Sequence, residues 1–556
     1  MAVNNNPQST FSPKDVDQKK DKNNQRENLL NALKEYLSES RDNAREWQER
    51  SRRSWDMVHG RIDWSHKRPD QSKVHLNRVG LAQEQIKAQV KQGLMNFDEW
   101  LVVEPEPGFE SPLMNLSEAK RMVIRGIRRT NAKAKITDNV GIAAIENLMA
   151  TKLQPITIEK RGPGGTKKKE FHIEHIPLNI RNYYPDAKLS ELYEFHEVEL
   201  DRYKVLELSA ENPTAQKPYI LSRVKKLATG SKTRIEEQHE EQDRGNDVKL
   251  DRTDRRKQVI LHEFWGTVLD ENGEVMEWKK SDGSKLLMKN VVVTMANEEA
   301  IISEPMPFPC WDGTSNFVIT QLLRTNINMY GKGLLQPGVE MNRAEDELLN
   351  AGIDAGLKEA YNVNVLKIHG MAKRGQASGG IKYGDTILQN NQLAPGEKLL
   401  DTVRTGQVPP GLLSILQVVQ SAGNENMRLN EVALSGNLPS KQVRATELVA
   451  AQQTIQGLFE SIVADLEDIY IEAYAKKVFC LMLQHAKLLS DEDLDFIFYG
   501  NEQRIDQFKA QTARQLFEEL GHSFRFRGKG IRSIAQNARV AQAIVNLFSV
   551  IVANPL

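Results

Sequence analysis

Between residues 25 and 59, Leu29, Leu33, Tyr36, Leu37, Ala44, Trp47, Trp55 and Val58 recur at helical spacing, with charges of both signs on the other faces. That pattern predicts an amphipathic helix with i,i+4 charge pairs, capped at its end by Gly60. A second helix is predicted over 74–97, with Asn77 near its start and Leu81, Ile86, Val90 and Leu94 as its apolar stripe. Residues 100–103 read as a strand stopped by Pro105 and Pro107, and 116–150 as two helical segments. Residues 153–159 and 170–174 read as strands around Gly162-Pro163-Gly164-Gly165, a hairpin tip followed by a solvated Lys167-Lys168-Lys169. Tyr183-Tyr184-Pro185-Asp186 is expected to turn, 194–206 to hold strand and helix pieces, and 259–269, 291–295 and 300–302 to be strands. Strands interleaved with helices predict a helix-rich α+β body.

The pattern changes after Tyr330-Gly331-Lys332-Gly333. A rod helix is predicted over 334–361, about 42 Å long at the standard rise. Val339, Leu348, Leu349, Ile353 and Leu357 mark one face, and Glu340, Glu345, Asp346, Glu347, Asp354 and Glu359 make the rest mainly acidic. A strand over 363–368 leads into a stretch rich in Gly, Asn, Gln and Pro, with apolar islands at Ile381, Ile387-Leu388 and Leu399-Leu400. It reads as a small β-containing tip. Pro409-Pro410 ends the tip, and Pro410 suits the first turn of a second rod over 411–429. Residues 433–439 break the pattern, and a third helix is predicted over 443–488. In the tail, 495–499 read as a strand, 504–520 as a helix, 523–527 as a strand with aromatics on one face and arginines on the other, and 531–552 as a closing helix. The polar residues 1–24 read as a flexible arm without a secretory signal, and the charged 231–256 as an exposed insertion.

Composition bounds the function. The 556 residues exceed one core and predict several domains. Basic and acidic residues balance at 75 each, so a chain that grips DNA through many phosphates is not expected. Cys310 and Cys480 lack metal or redox spacing and read as reduced, buried thiols. No run of 18 apolar residues predicts a membrane span. Catalytic signatures are missing. Gly331-Lys332-Gly333 and Gly528-Lys529-Gly530 lack the upstream glycine of a phosphate loop. His172 and His175, at odd spacing on a strand, fall on opposite faces. His59 and His66 bracket a turn without a nucleophile nearby. The Phe524-Arg525-Phe526-Arg527 strand reads as closing a subunit interface rather than as a nucleic-acid stacking platform. No cofactor or metal is expected.

The order of these pieces resembles a tailed-bacteriophage portal protein, similar to the large portals of short-tailed phages. The resemblance rests on the charged helix with Trp47 and Trp55 followed by Asn77, and on Tyr184-Pro185-Asp186 ahead of a β-rich body. It continues through Glu263-Phe264-Trp265-Gly266, Pro307-Phe308-Pro309 and Tyr330-Gly331-Lys332-Gly333, then helix, tip, helix, loop and the helix at Arg444-Ala445-Thr446-Glu447. It implies a wing over 25–333, stem helices over 334–361 and 411–432, a small α/β clip over 362–410, and a tunnel loop over 433–443. The long wing helix and return strands would take 444–530, and a short helical crown would begin at 531. The implied assembly is a dodecameric ring at one vertex of the virion capsid, built in the host cytoplasm. Its implied partners are the terminase large subunit, head-tail adaptor or tail proteins, major capsid and scaffolding proteins, and double-stranded DNA passing without sequence preference.

Within that frame the acidic stem residues Glu340, Glu345, Asp346, Glu347, Asp354 and Glu359 would line the channel. The tunnel loop would present Ser435, Gly436, Asn437, Leu438, Pro439, Ser440, Lys441 and Arg444, the two cations touching phosphates transiently. Lys367, Lys373, Arg374 and Lys382 of the clip would face DNA or a partner. The expected protein is structural and not an enzyme. The alternatives are another phage head-tail ring component or an enzyme acting on DNA.

Overall fold

The computed structural model describes residues 13–95, 101–108, 111–128, 131–161, 167–178, 182–186, 192–214, 217–227, 257–280, 284–324, 329–360, 363–368, 386–390, 400–403, 409, 411–426 and 465–528. In chain order the elements are α1 (Pro13–Val58), α2 (Arg78–Met95), β1 (Leu101–Pro105), α3 (Leu116–Arg128), α4 (Ala132–Glu146), β2 (Leu148–Arg161), β3 (Lys167–Leu178), β4 (Tyr183–Pro185), β5 (Tyr193–Asp201) and α5 (Arg202–Glu207). Next come β6 (Ser209–Ala210), β7 (Tyr219–Ile220), α6 (Leu221–Val224), β8 (Gln258–Gly266), β9 (Glu277–Lys279), β10 (Lys285–Leu287), β11 (Val291–Ala296), β12 (Ala300–Ile301), β13 (Met306–Pro307) and β14 (Phe317–Gln321). The chain continues through α7 (Gln336–Ala360), β15 (Val363–Ile368), β16 (Thr386–Asn390), β17 (Leu400–Val403) and α8 (Leu412–Asn426). A π-helical turn (Leu466–Ile471) leads into α9 (Glu472–Gln484), followed by α10 (Asp491–Phe498), α11 (Glu502–Ala510), α12 (Ala513–Leu520) and β18 (Phe524–Gly528). The fold is mixed helix and sheet, as the interleaved pattern predicts.

The described residues divide into two units. One draws on 1–49, 87–332 and 460–556, the other on 50–86 and 333–459. In the first unit an antiparallel sheet has the order β12-β11-β8-β5-β4, with β13 also paired to β11, and a second sheet has the order β14-β2-β3. The stripe of α1 covers both. Leu29, Leu33 and Leu37 pack on Tyr193, Phe195, Phe264 and Val293. Ala44 and Trp47 pack on Leu148, Tyr183, Trp265, Phe317 and Tyr330. The Trp47 indole donates to the Glu146 carbonyl at 2.8 Å, which satisfies its one polar group inside the core. Behind these sheets, α9 packs on α3, α12 and β18.

Several expectations need correction. Residues 13–24 are not an arm: they open α1. Pro13 suits a first helical turn, and neither glycine nor proline follows before Gly60. α2 begins at Arg78, because the Asn77 side chain accepts from the Gly80 amide at 3.0 Å and caps the helix; residues 74–77 are extended. Tyr183–Pro185 is a strand paired with β5 rather than a turn. Residues 495–498 are helical, not a strand, because Ser490 and Asp493 form a reciprocal capping box that starts α10. A second such box, Thr512 with Gln515, splits the helix expected over 504–520 into α11 and α12. The helix expected over 443–488 contains a π turn and ends at Gln484; its residues 443–464 lie outside the described set. The aromatics of β18 serve this chain's own core instead of a subunit interface: β18 pairs with β1, and Phe524 and Phe526 pack on Phe479 at 5.6 and 5.2 Å.

Buried polar groups in the first unit are mostly paired. Lys152 pairs with Glu263, which also meets His196 at 3.2 Å. Burial alone would raise the Glu263 carboxyl, but Lys152 and His196 outweigh it and hold it down at about 2. Arg41 reaches from α1 to Glu298 at 2.5 Å and to Glu197 at 3.4 Å. His175 is fully buried and meets the Tyr474 hydroxyl at 2.9 Å, while His172 sits on the other face of β3. Burial, with Lys135 nearby, pushes His175 down to about 3, so it is neutral. Cys310 and Cys480 are free and buried, and burial pushes both thiols up.

Candidate functional site

The second unit is built on α7 and α8. α7 has 25 residues and spans about 38 Å. It leads into the three-stranded sheet β16-β15-β17, in which β15 runs parallel to β16 and antiparallel to β17. Two long helices joined through a small sheet make a hairpin of rods with a folded tip. Three contacts fix its register. Gly352 faces Leu412, with 3.0 Å left to a Cβ placed on the glycine; Gly423 faces Met341; and Gln420 donates to Glu345 at 2.8 Å. Partners ascend on α7 as they descend on α8, so the rods are antiparallel, and the two glycines let them approach closely.

A different side of α7 is covered by an extended strap, residues 72–77, and the start of α2, whose backbone amides and carbonyls meet a row of α7 side chains. Asp354 accepts from the Ser72 amide at 2.8 Å. Asn350 accepts from the Val74 amide at 2.7 Å and donates to the Val74 carbonyl at 2.9 Å. Asp346 accepts from the Leu76 amide at 2.8 Å, and Asn342 donates to the Leu76 carbonyl at 2.9 Å. Asn342 also accepts from the Arg78 and Val79 amides at 3.1 and 3.3 Å.

The spacing explains the pattern. Four helical residues rise about 6.0 Å and two extended residues about 6.6 Å. Side chains at i, i+4, i+8 and i+12 therefore meet every second residue of the strap. The mismatch accumulates to about 2 Å over three steps, within reach of Asn and Asp side chains. The row spends on the strap the hydrogen-bonding capacity that makes these residues poor helix formers.

Side chains pin the strap in place. His75 meets Asp346 at 2.6 Å through Nδ1 and the Met57 carbonyl at 2.9 Å through Nε2. Arg78 pairs with Glu345 at 2.8 Å. Just before the strap, Lys67 and His66 reach Glu347 at 2.8 and 3.0 Å. Burial would raise the Glu347 carboxyl, but Lys67 and His66 more than offset it and hold it below its ordinary value. The Asn77 amide donates to the Val58 carbonyl at 2.8 Å and ties the strap to the end of α1.

These contacts involve most of the acidic residues expected to line a channel. Glu345, Asp346 and Asp354 are buried within the chain on its own strap and neighbouring rod, and Glu347 is ion-paired. Of the six acidic residues, Glu340 and Glu359 are exposed. The remaining side of α7 exposes Glu340, Arg343, Ala351 and Lys358, one acidic and two basic groups. Lys367 lies in β15. Lys373, Arg374 and Lys382 lie outside the described residues, as do Ser435, Gly436, Asn437, Leu438, Pro439, Ser440, Lys441 and Arg444.

Sequence reasoning missed Asn342 and Asn350, although a signal was there. Four Asn or Asp residues at four-residue intervals inside one helix are costly unless each has a partner. Among the described residues no group of His, Cys, Asp or Glu has the arrangement of a metal site, and no helix is long and apolar enough to cross a membrane. The chain matches no family model and no curated protein.

Proposed function

We propose that this chain is the structural subunit of a bacteriophage portal, with wing, stem, clip and crown regions, assembled as a closed ring of identical copies around a DNA channel. The observation that carries the reading is the hairpin itself: antiparallel α7 and α8 joined through the small mixed sheet β16-β15-β17. Helices that merely form a bundle are joined by short connections. A folded tip between two rods is suited to a wall with a protruding rim.

The electrostatics of α7 favour a conduit. Each neutralised phosphate adds salt-sensitive affinity and hence drag on sliding DNA. With the acidic row satisfied internally, the uncovered side of α7 offers Glu340, Arg343, Ala351 and Lys358, a nearly neutral surface that neither grips the duplex nor repels it strongly. In this reading the ring is a passive, non-enzymatic part. It docks the terminase motor during packaging and adaptor or tail proteins afterwards, sits among capsid and scaffolding proteins in the virion, and conducts DNA in both directions.

Negative-stain imaging of the purified protein tests the reading. Closed rings with a central hole are expected. Dispersed monomers, or solid particles without a lumen, would count against it.

A further inference from the structure

We infer that the first unit carries a surface for the phosphate backbone of duplex nucleic acid, formed by Lys204, Lys225, Lys226 and Lys257 around Arg202. The surface belongs to the sheets and not to the rods, so it does not rest on the ring reading above. Basic and acidic residues balance over the whole chain. From Arg202 to Leu227 they do not: Arg202, Lys204, Lys217, Arg223, Lys225 and Lys226 stand against Glu207 and Glu211 alone. Lys257 follows at the entry to β8.

The fold draws these cations together. α5, β7, α6 and β8 share one core through Val205, Tyr219, Val224 and Val259. Across the top of that core the Arg202 amide donates to the Lys257 carbonyl at 2.8 Å, and the Arg202 guanidinium donates to the Lys225 carbonyl at 3.3 Å. Three separate segments therefore meet at Arg202, with Lys204 on the same short helix and Lys226 beside Lys225. All four lysines are exposed, and among the described residues none of their ammonium groups is in an ion pair. Arg223, by contrast, is taken up by Glu304 at 3.1 Å. Clustered like charge repels itself, and an anion relieves that repulsion.

Phosphates fit this surface better than an acidic protein does. Protein interfaces draw most of their energy from buried aromatic and apolar anchors. Among the described residues from Arg202 to Leu227, Tyr203, 63% exposed, is the one large exposed hydrophobic side chain. A single aromatic also makes no row on which the bases of a single strand could stack. A duplex backbone asks only for cations, and it is bound without regard to sequence.

Fluorescence anisotropy of a short labelled duplex, titrated with the purified full chain, tests this. With one phosphate per lysine, affinity should fall about 150-fold between about 50 and about 200 mM salt. The triple variant Lys225→Gln, Lys226→Gln, Lys257→Gln should bind more weakly and show only about a fourfold fall over the same range. Lys204→Gln alone, which changes a single exposed side chain, should show about a 40-fold fall. Two duplexes of unrelated sequence should bind alike. A parent chain that does not bind at the lowest salt, or variants whose salt dependence equals the parent's, would overturn the proposal. So would tighter binding of labelled polyglutamate than of the duplex at equal salt, which would make the partner an acidic protein.

Discussion

In the first unit α1 rests on its sheets through Leu29, Leu33, Leu37, Ala44 and Trp47, whose shapes interlock with Phe264, Tyr193 and Trp265. In the second unit the strap rests on α7 through Asn342, Asp346, Asn350 and Asp354, which touch the strap's backbone. The first contact is specified by side-chain volume on both partners. The second is specified on α7 alone, since any residue other than proline offers the same amide and carbonyl. Apolar docking depends on sequence on both sides, and the polar ladder on one side only. The ladder still needs a register, and His75, Arg78 and the cap at Asn77 supply it.

The sharpest way to break the comparison is at its two centres. Trp47→Ala should cost about 4 kcal/mol through cavity formation and a stranded Glu146 carbonyl, read as a lowered denaturant midpoint. Asp346→Ala should cost about 3 kcal/mol, because it strands the Leu76 amide and removes the His75 partner. Its signature is local: amide exchange at Leu76 should speed up before α1 loosens on its sheets.

The strap itself gives the finest contrast. Val74→Pro removes the amide that Asn350 accepts from and should cost about 2 kcal/mol. Val74→Ala, which keeps every rung, should stay within about 0.5 kcal/mol for the isolated chain. Equal effects from the two would mean that the side chain, not the backbone, is what α7 recognises.

Acid separates the units as well. His175 is held neutral, pushed down to about 3, whereas the unfolded chain protonates its histidines near 6.5. As pH falls between those values the unfolded state binds the additional proton, so stability declines by about 1.4 kcal/mol per pH unit from this group. His175→Gln should flatten that slope in acid unfolding curves of the first unit and leave amide exchange along the strap unchanged.

The comparison also explains what could be read from the chain. The stripe of α1, the strands β5, β8 and β11, both rods and the tip strands declare themselves through apolar periodicity, which local sequence records directly. Local capping decided three of the failures. Asn77, the Ser490–Asp493 box and the Thr512–Gln515 box moved or split helices where hydrophobic spacing alone was ambiguous. The acidic side of α7 misled for a deeper reason. Asp346 and Asp354 look like solvated charge because their partners are amides about 270 and 280 residues away in sequence, and an amide has no letter of its own.

Electron cryomicroscopy of the assembled protein would test the central claim most directly, by locating Ala351 and its neighbours Glu340, Arg343 and Lys358. The account predicts closed rings in which this side of every α7 faces the lumen. A ring whose lumen is walled by other elements, or a globular particle with α7 and α8 enclosed in its interior, would contradict it.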